Sequence, residues 1–296
     1  MGKNSLAEKI EEHLNTRNIV FLLFAAVALI MAYTPIRALY NSDKSEYYSH
    51  IALIPLVSIY LIYIKRKEIF SKVNYLFVVG CPVLLLGIAL FLAGIMWGAS
   101  LDKNNYASLV VFSIFIFING AFILLYGMQA YKAALFPLLF LIFIVPIPTA
   151  LMDHIIYFLQ VGSTEFTNLL FMASGAPFVR EGFVFHLPNV SVEVAKQCSG
   201  IRSAMAIFIV AILAGYLFLK SYWKIIFLVV CAVLIAMFKN GIRIITLSLL
   251  GNYVDPQILT SSMHREGGTP FFIVALLLLA PILFFLRRSE RNKNSG

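Results

Sequence analysis

The sequence predicts an all-α integral membrane protein of about eight transmembrane helices with a small cap on its outer face. Three observations predict it. Of 296 residues, 61% are hydrophobic and only 12% charged, with a mean hydropathy of +0.90, which is more apolar surface than one soluble core of this size hides. The apolar residues fall into separate runs of roughly 20, the length that crosses a bilayer. Lys and Arg gather in alternate loops, as cytoplasmic loops require. The whole chain, 1–296, reads as a single polytopic membrane domain, with residues 149–199 as a cap segment within it.

Residues 1 to 17 hold three basic and three acidic side chains, and Asn18 to Ile36 then supplies the first span. Its apolar stretch is long for a signal peptide and no convincing small-residue cleavage pattern follows, so it reads as an uncleaved anchor. His50 to Ile64 is the second span, short unless the aromatic pair Tyr47 and Tyr48 extends it at the outer interface. It stops at KRKEIFSK, residues 65 to 72. Tyr75 to Trp97 and Tyr106 to Gly127 are the third and fourth spans, joined by the nearly neutral GASLDKNN. Lys132 to Pro148 is the fifth, and its terminal prolines remove backbone donors and end the helix.

Residues 149 to 199 are the one long stretch that is not plainly a span. In MDHIIYFLQVGSTEFTNLLFM, apolar residues recur at helical spacing but are interrupted by Asp153, His154, Glu165 and Asn168, which predicts an interfacial or partly re-entrant helix. In PFVREGFVFHLPNVSVEVAKQ, apolar and polar residues alternate around turn formers at Gly182 and Pro188-Asn189, which predicts a short β-hairpin. Such backbone cannot face lipid. Ile201 to Leu219 is the sixth span, KSYWK a tight loop, and the seventh segment runs from Trp223 to Gly251 with Arg243 near its far end. A polar loop, 252 to 269, leads into the eighth span, Pro270 to Leu286.

Eight spans put both termini on one side. With residues 65 to 72 fixed inside, the inner segments hold 14 Lys and Arg against 5 acids, while the rest of the chain holds 9 of each. The excess charge of +9 is therefore cytoplasmic, and it argues for a membrane surface rather than a nucleic acid as partner. The same topology brings Cys198, Arg243 and His264 to the outer interface.

Those three residue types suit acyl transfer. A thiol just ahead of a helix start feels the partial positive charge of unpaired backbone N–H groups, which favours the nucleophilic thiolate. A thiolate that attacks a peptide carbonyl leaves a thioester, splitting one hard step into two easier ones. An imidazole at His264 donates a proton to the leaving amine and later accepts one. The fixed fork of Arg243 suits a developing oxyanion, with Asn240 placed to orient it. Arg202, four residues after Cys198, competes for that role. Lys239, one turn before Arg243, reads as a snorkelling side chain. His154, His186, Asp153, Glu165, Arg180 and Glu181 read as solvated cap residues, and Cys81 and Cys231 as packing within spans. With no HExxH, P-loop or GxSxG motif, neither a metal nor a cofactor is expected.

The chain resembles the exosortase and archaeosortase membrane transpeptidases. The residues that carry the resemblance are QCSGIRS around Cys198, NGIR ending in Arg243, and HREGG beginning at His264, supported upstream by YYSHIALIPLVSIYLIYIKR and FLIFIVPIP. It runs from about residue 40 to 280. The resemblance implies that Cys198 is the nucleophile with Arg243 and His264 completing the site, and that Ser199 and Gly200 of the CSG motif support it. It also implies a partner: a secreted protein ending in a signature motif, a transmembrane helix and a basic tail, cut near the motif and passed to an acceptor. From a different class, the chain would be a transporter or scaffold without peptidase activity, against which stand the absence of paired broken helices in matching halves and the few ionisable groups at mid-membrane depth.

Overall fold

The computed structural model describes residues 2–40, 48, 50–257 and 268–293. The chain divides into two compact units, Met1–Thr149 and Ala150–Gly296.

The first unit contains α1 (Gly2–Tyr40), α2 (Leu53–Ile64), a one-turn α3 (Arg66–Ile69), α4 (Phe77–Trp97), α5 (Lys103–Ala133) and α6 (Leu135–Phe140), which tightens into a 3-10 turn at Leu141–Ile144. At its centre is α5. Gly80, Gly87 and Gly94 recur every seven residues on α4 and are buried. A Cβ added at Gly87 would lie 2.7 Å from the backbone nitrogen of Phe117, and one at Gly120 of α5 would lie 2.5 Å from that of Leu84. The two backbones therefore touch, as small residues allow between helices in lipid. On another side of α5, α1 sets Phe24 edge-on to Phe117, with centroids 5.6 Å apart, and buries Ala28 and Ala32.

The start of α5 is a polar knot. Asp102 caps it by accepting from the N–H groups of Asn104 at 2.9 Å and Asn105 at 3.0 Å, which satisfies donors that a helix start leaves unpaired. Asn104 accepts from the Tyr48 hydroxyl and donates to the carbonyl of Ile147 at 2.8 Å, while the N–H of Thr149 donates to Asn105 at 2.8 Å. The turn before α2 and the proline segment after α6 are thus pinned to one helix end.

The second unit begins with α7 (Thr149–Ser174), followed by β1 (Val179–Glu181), β2 (Val184–His186) and β3 (Ser191–Glu193). The strands form an antiparallel meander with Val179 opposite His186 and Val184 opposite Glu193. The expected hairpin is present with a third strand added. Phe171 of α7 and Phe185, Leu187 and Val194 of the sheet region pack with Ile244 and Ile245. A 3-10 turn (Lys196–Cys198) leads into α8 (Ile201–Phe218), α9 (Tyr222–Tyr253) and α10 (Gly268–Lys293). Asn252, near the end of α9, holds the hairpin turn through the N–H and side-chain amide of Asn189, each at 2.9 Å.

Among the described residues six helices are long and apolar enough to cross a membrane, and Leu135–Ile144 with Thr149–Ser174 makes a seventh if taken as one bent span. The chain is a multi-pass membrane protein. Large apolar side chains such as Leu29, Ile30, Val78, Met96 and Leu277 stay outside, exposed, where lipid would cover them. Two expected spans differ from the prediction. At 12 residues, α2 extends for about 18 Å, short of a full crossing. The fifth is broken, because Pro146 and Pro148 cannot continue a helix.

Candidate active site

The site is built where α8 begins. Cys198 closes the 3-10 turn, its N–H bonded to the Ala195 carbonyl at 2.8 Å. Two residues on, Gly200 stands at φ +72° as the residue before α8, a left-handed conformation that glycine adopts without strain. A Cβ there would also lie 2.8 Å from the side-chain oxygen of Asn240. The glycine of the CSG motif is thus required by backbone geometry and by the neighbour packed on it, and Ser199 between it and the thiol is buried.

Asn240 is the hub. It is 0% exposed, and its side-chain nitrogen donates to the Cys198 carbonyl at 2.7 Å and to the Ser163 hydroxyl at 3.1 Å. One amide therefore ties α7, the cysteine turn and α9 together. Beside the orienting of Arg243 expected of Asn240, its amide fixes the backbone that carries the thiol.

Arg243 lies one turn after Lys239 on α9. The thiol is half-buried, and burial works against the thiolate that the helix start was expected to favour; the Arg243 charge opposes that effect and the Glu193 charge adds to it. Arg202 is exposed on the first turn of α8, whereas Arg243 is half-buried on α9. His264 lies outside the described residues.

Lys239 does not snorkel. It is 2% exposed and donates to the Ser203 hydroxyl, which in turn donates to the Gly200 carbonyl at 2.9 Å. The reason is local: Ser203, one turn into α8, offers an acceptor close to a position on α9 that faces inward. Composition pointed to the membrane surface, but a hydrogen-bond acceptor within reach decides otherwise.

The cap residues pair among themselves. Arg180 makes two hydrogen bonds to Glu165, at 2.7 and 3.1 Å, and the ring of His186 meets Ser191 at 2.8 Å and Glu181 at 3.7 Å. Asp153 and His154 are exposed on α7.

Sequence reasoning missed Ser163 and Ser203. A signal for the first was present: Gly162, Ser163, Thr164 and Thr167 put small and hydroxyl side chains on one face of α7, and the three hydroxyl residues are buried. Small residues of this kind mark where a neighbouring helix comes close. Here a Cβ on Gly241 of α9 would stand 3.1 Å from the backbone nitrogen of Thr167.

Taken together, an apolar helical array and a thiol at a glycine turn, its backbone bonded by an amide from the next helix, define a polytopic membrane protein with a cysteine at a helix start. The family model described as transmembrane exosortase (Exosortase_EpsH) matches residues 40–281, and the chain belongs to that family. The matched range contains every site residue named above. No match is found among curated proteins or among solved structures.

Proposed function

We propose that this protein is a membrane-embedded cysteine transpeptidase that cleaves the C-terminal sorting signals of secreted proteins and passes the cleaved chain to an acceptor. The observation that supports it most is the turn at Cys198, whose carbonyl is held by Asn240, 42 positions on in the sequence, on the helix that also carries Arg243. In the proposed reaction the Cys198 thiolate attacks the scissile carbonyl, and Arg243 stabilises the oxyanion of the tetrahedral intermediate. His264 gives a proton to the departing amine, which leaves a thioester on Cys198. An incoming nucleophile, deprotonated by His264, then displaces the sulfur and carries the acyl group away; water in that role would release the substrate instead.

In this reading the protein lies in the cell membrane with both termini cytoplasmic and the thiol at the outer interface. The partner has a signature motif, a transmembrane helix and a basic tail, because a helix anchored by an inner basic end would hold its scissile bond at the depth of Cys198. Replacing Cys198 by Ala should leave the protein inserted and folded but abolish processing of a co-expressed reporter carrying such a tail. Processing that survives the substitution would overturn the proposal.

A further inference from the structure

The small sheet has two outer strands, and one of them leads to the thiol. β3 is an outer strand, and the chain stays extended beyond it as far as Ala195, at φ −67° and ψ 162°, before the single 3-10 turn that ends at Cys198. Glu193 and Cys198 are therefore at most about 13 Å apart along this path. The other edge, β1, lies two strands away, about 10 Å across the sheet.

The register shows which backbone groups the β3 edge offers. The N–H of Val194 donates to the Phe183 carbonyl at 2.9 Å, and the N–H of Leu187 donates to the Val190 carbonyl at 2.8 Å. With Val184 opposite Glu193 and His186 opposite Ser191, residues 190, 192 and 194 turn their N–H and C=O groups toward β2. In an antiparallel ladder the residues between them turn theirs the other way. The N–H and C=O groups of Ser191 and Glu193 thus point out of the sheet edge, and among the described residues nothing bonds them. Closer to the thiol the carbonyls are taken: Val194 accepts from the side chain of Gln160 at 2.6 Å, and Ala195 accepts from the N–H of Cys198.

The side chains leave this edge open. Ser191 meets the ring of His186 at 2.8 Å across the sheet, and Glu193, two residues on, stands on the same face. Both residues are exposed. An exposed edge of this kind is a template for another extended chain, and strand addition binds a peptide through its main chain, whatever its side chains.

We propose that the free edge of β3 is the docking strand for the peptide substrate: the extended segment just before the scissile bond adds to the sheet beside Ser191 and Glu193 and is led by the chain itself to Cys198. This rests on the reading of Cys198 as the nucleophile and deepens it. A tail whose membrane helix follows the cut runs toward the thiol, as β3 does, so the added strand is parallel to β3. The distance from Glu193 to Cys198 is covered by about four residues of extended chain, which puts the paired segment on the acyl side of the cut, the side that stays on the sulfur as the thioester.

The test separates the backbone of Glu193 from its side chain. An edge strand accepts proline where the N–H faces outward, so Glu193→Pro removes one docking donor and spares the ladder to β2, while Glu193→Ala removes the carboxylate and keeps the donor. Both are made in the full-length protein with Cys81 and Cys231 replaced by Ser, and are compared for melting temperature, for Cys198 alkylation by iodoacetamide, and for processing of a co-expressed secreted reporter that ends in a tail with a membrane helix and a basic end. With melting and alkylation alike in the two variants, Glu193→Pro should process the reporter about fivefold or more slower than Glu193→Ala, the scale of one lost hydrogen bond. Equal processing overturns the proposal. Should Glu193→Pro fail to fold or alter alkylation, disulfide trapping takes its place: Glu193→Cys in the Cys198→Ala protein is oxidised against reporters carrying one cysteine at successive positions before the membrane helix. Cross-links at alternate positions support an added strand, whereas cross-links at consecutive positions, or none, overturn it. Processing that depends on Cys198 but is equal in Glu193→Pro and Glu193→Ala sinks this inference alone, whereas processing that survives Cys198→Ala sinks the peptidase reading.

Discussion

The side-chain nitrogen of Asn240 sits 2.7 Å from the carbonyl oxygen of Cys198, so the backbone of the cysteine turn is held by the seventh apolar segment of the sequence. Replacing Asn240 by Leu removes the donor while leaving the carbonyl buried, a change that costs about 1–3 kcal/mol. Thermal unfolding in detergent should show the drop, and Cys198 alkylation should change with it because the turn has lost its anchor. A variant with an unchanged melting temperature and unchanged thiol reactivity would remove Asn240 from the site.

The two arginines near the motif separate by one comparison. Arg243 acts on the thiol, whereas Arg202 is exposed. Arg243→Gln should therefore lower processing of a tailed reporter by roughly a hundredfold or more, the scale of losing an oxyanion donor. Arg202→Gln should stay within a few-fold of the parent. The reverse order would hand the catalytic role to Arg202.

How much of this was legible depends on the range over which each feature is specified. Cys198 could be placed at a helix start because the polar KQCSG run meets an apolar run within a few residues, a local contrast. The hairpin was legible from alternation and turn residues, but its third strand was not, since Ser191 to Glu193 is too short to show a period. The break after α6 was marked by Pro146 and Pro148, yet its tie to Asn104 and Asn105 joins residues more than 40 positions apart, which no local pattern encodes. Lys239 was misread for the same reason. A lysine near a span end snorkels unless an acceptor lies within reach, and Ser203 comes from another helix.

The close approach of α4 and α5 gives a prediction about stability alone. Gly120 has no room for a Cβ, since one would stand 2.5 Å from the Leu84 backbone nitrogen. Gly120→Val must push two backbones apart, and overpacking of this kind costs about 1–3 kcal/mol, more where the obstacle is main chain. Lower yield of folded protein and a lower melting temperature are expected. Gly182→Ala meets open space and pays only for its positive φ of 59°, so it should be the milder of the two.

At the opposite end of α9 from the cap, Glu290 of α10 performs the task that a capping residue performs elsewhere. No side chain within α9 caps its start, and the carboxylate of Glu290 accepts instead from the N–H groups of Lys220 and Ser221 at 2.9 and 3.0 Å. Lys224, nearly buried, lies 3.9 Å from the same carboxylate and donates to the Leu286 carbonyl at 3.2 Å. An anion at a helix start is favoured by the partial positive charge there, so Glu290→Ala loses two charge-assisted bonds and leaves Lys224 short of its counter-charge. The expected cost is about 1–2 kcal/mol, in the range of a lost helix cap, read as a fall in melting temperature with Cys198 alkylation little changed, because the contact lies far along α9 from Asn240. Glu290→Gln keeps one acceptor and should recover part of the loss. If Glu290→Ala melts with the parent protein, α10 is not fastened to the α8–α9 turn through this carboxylate.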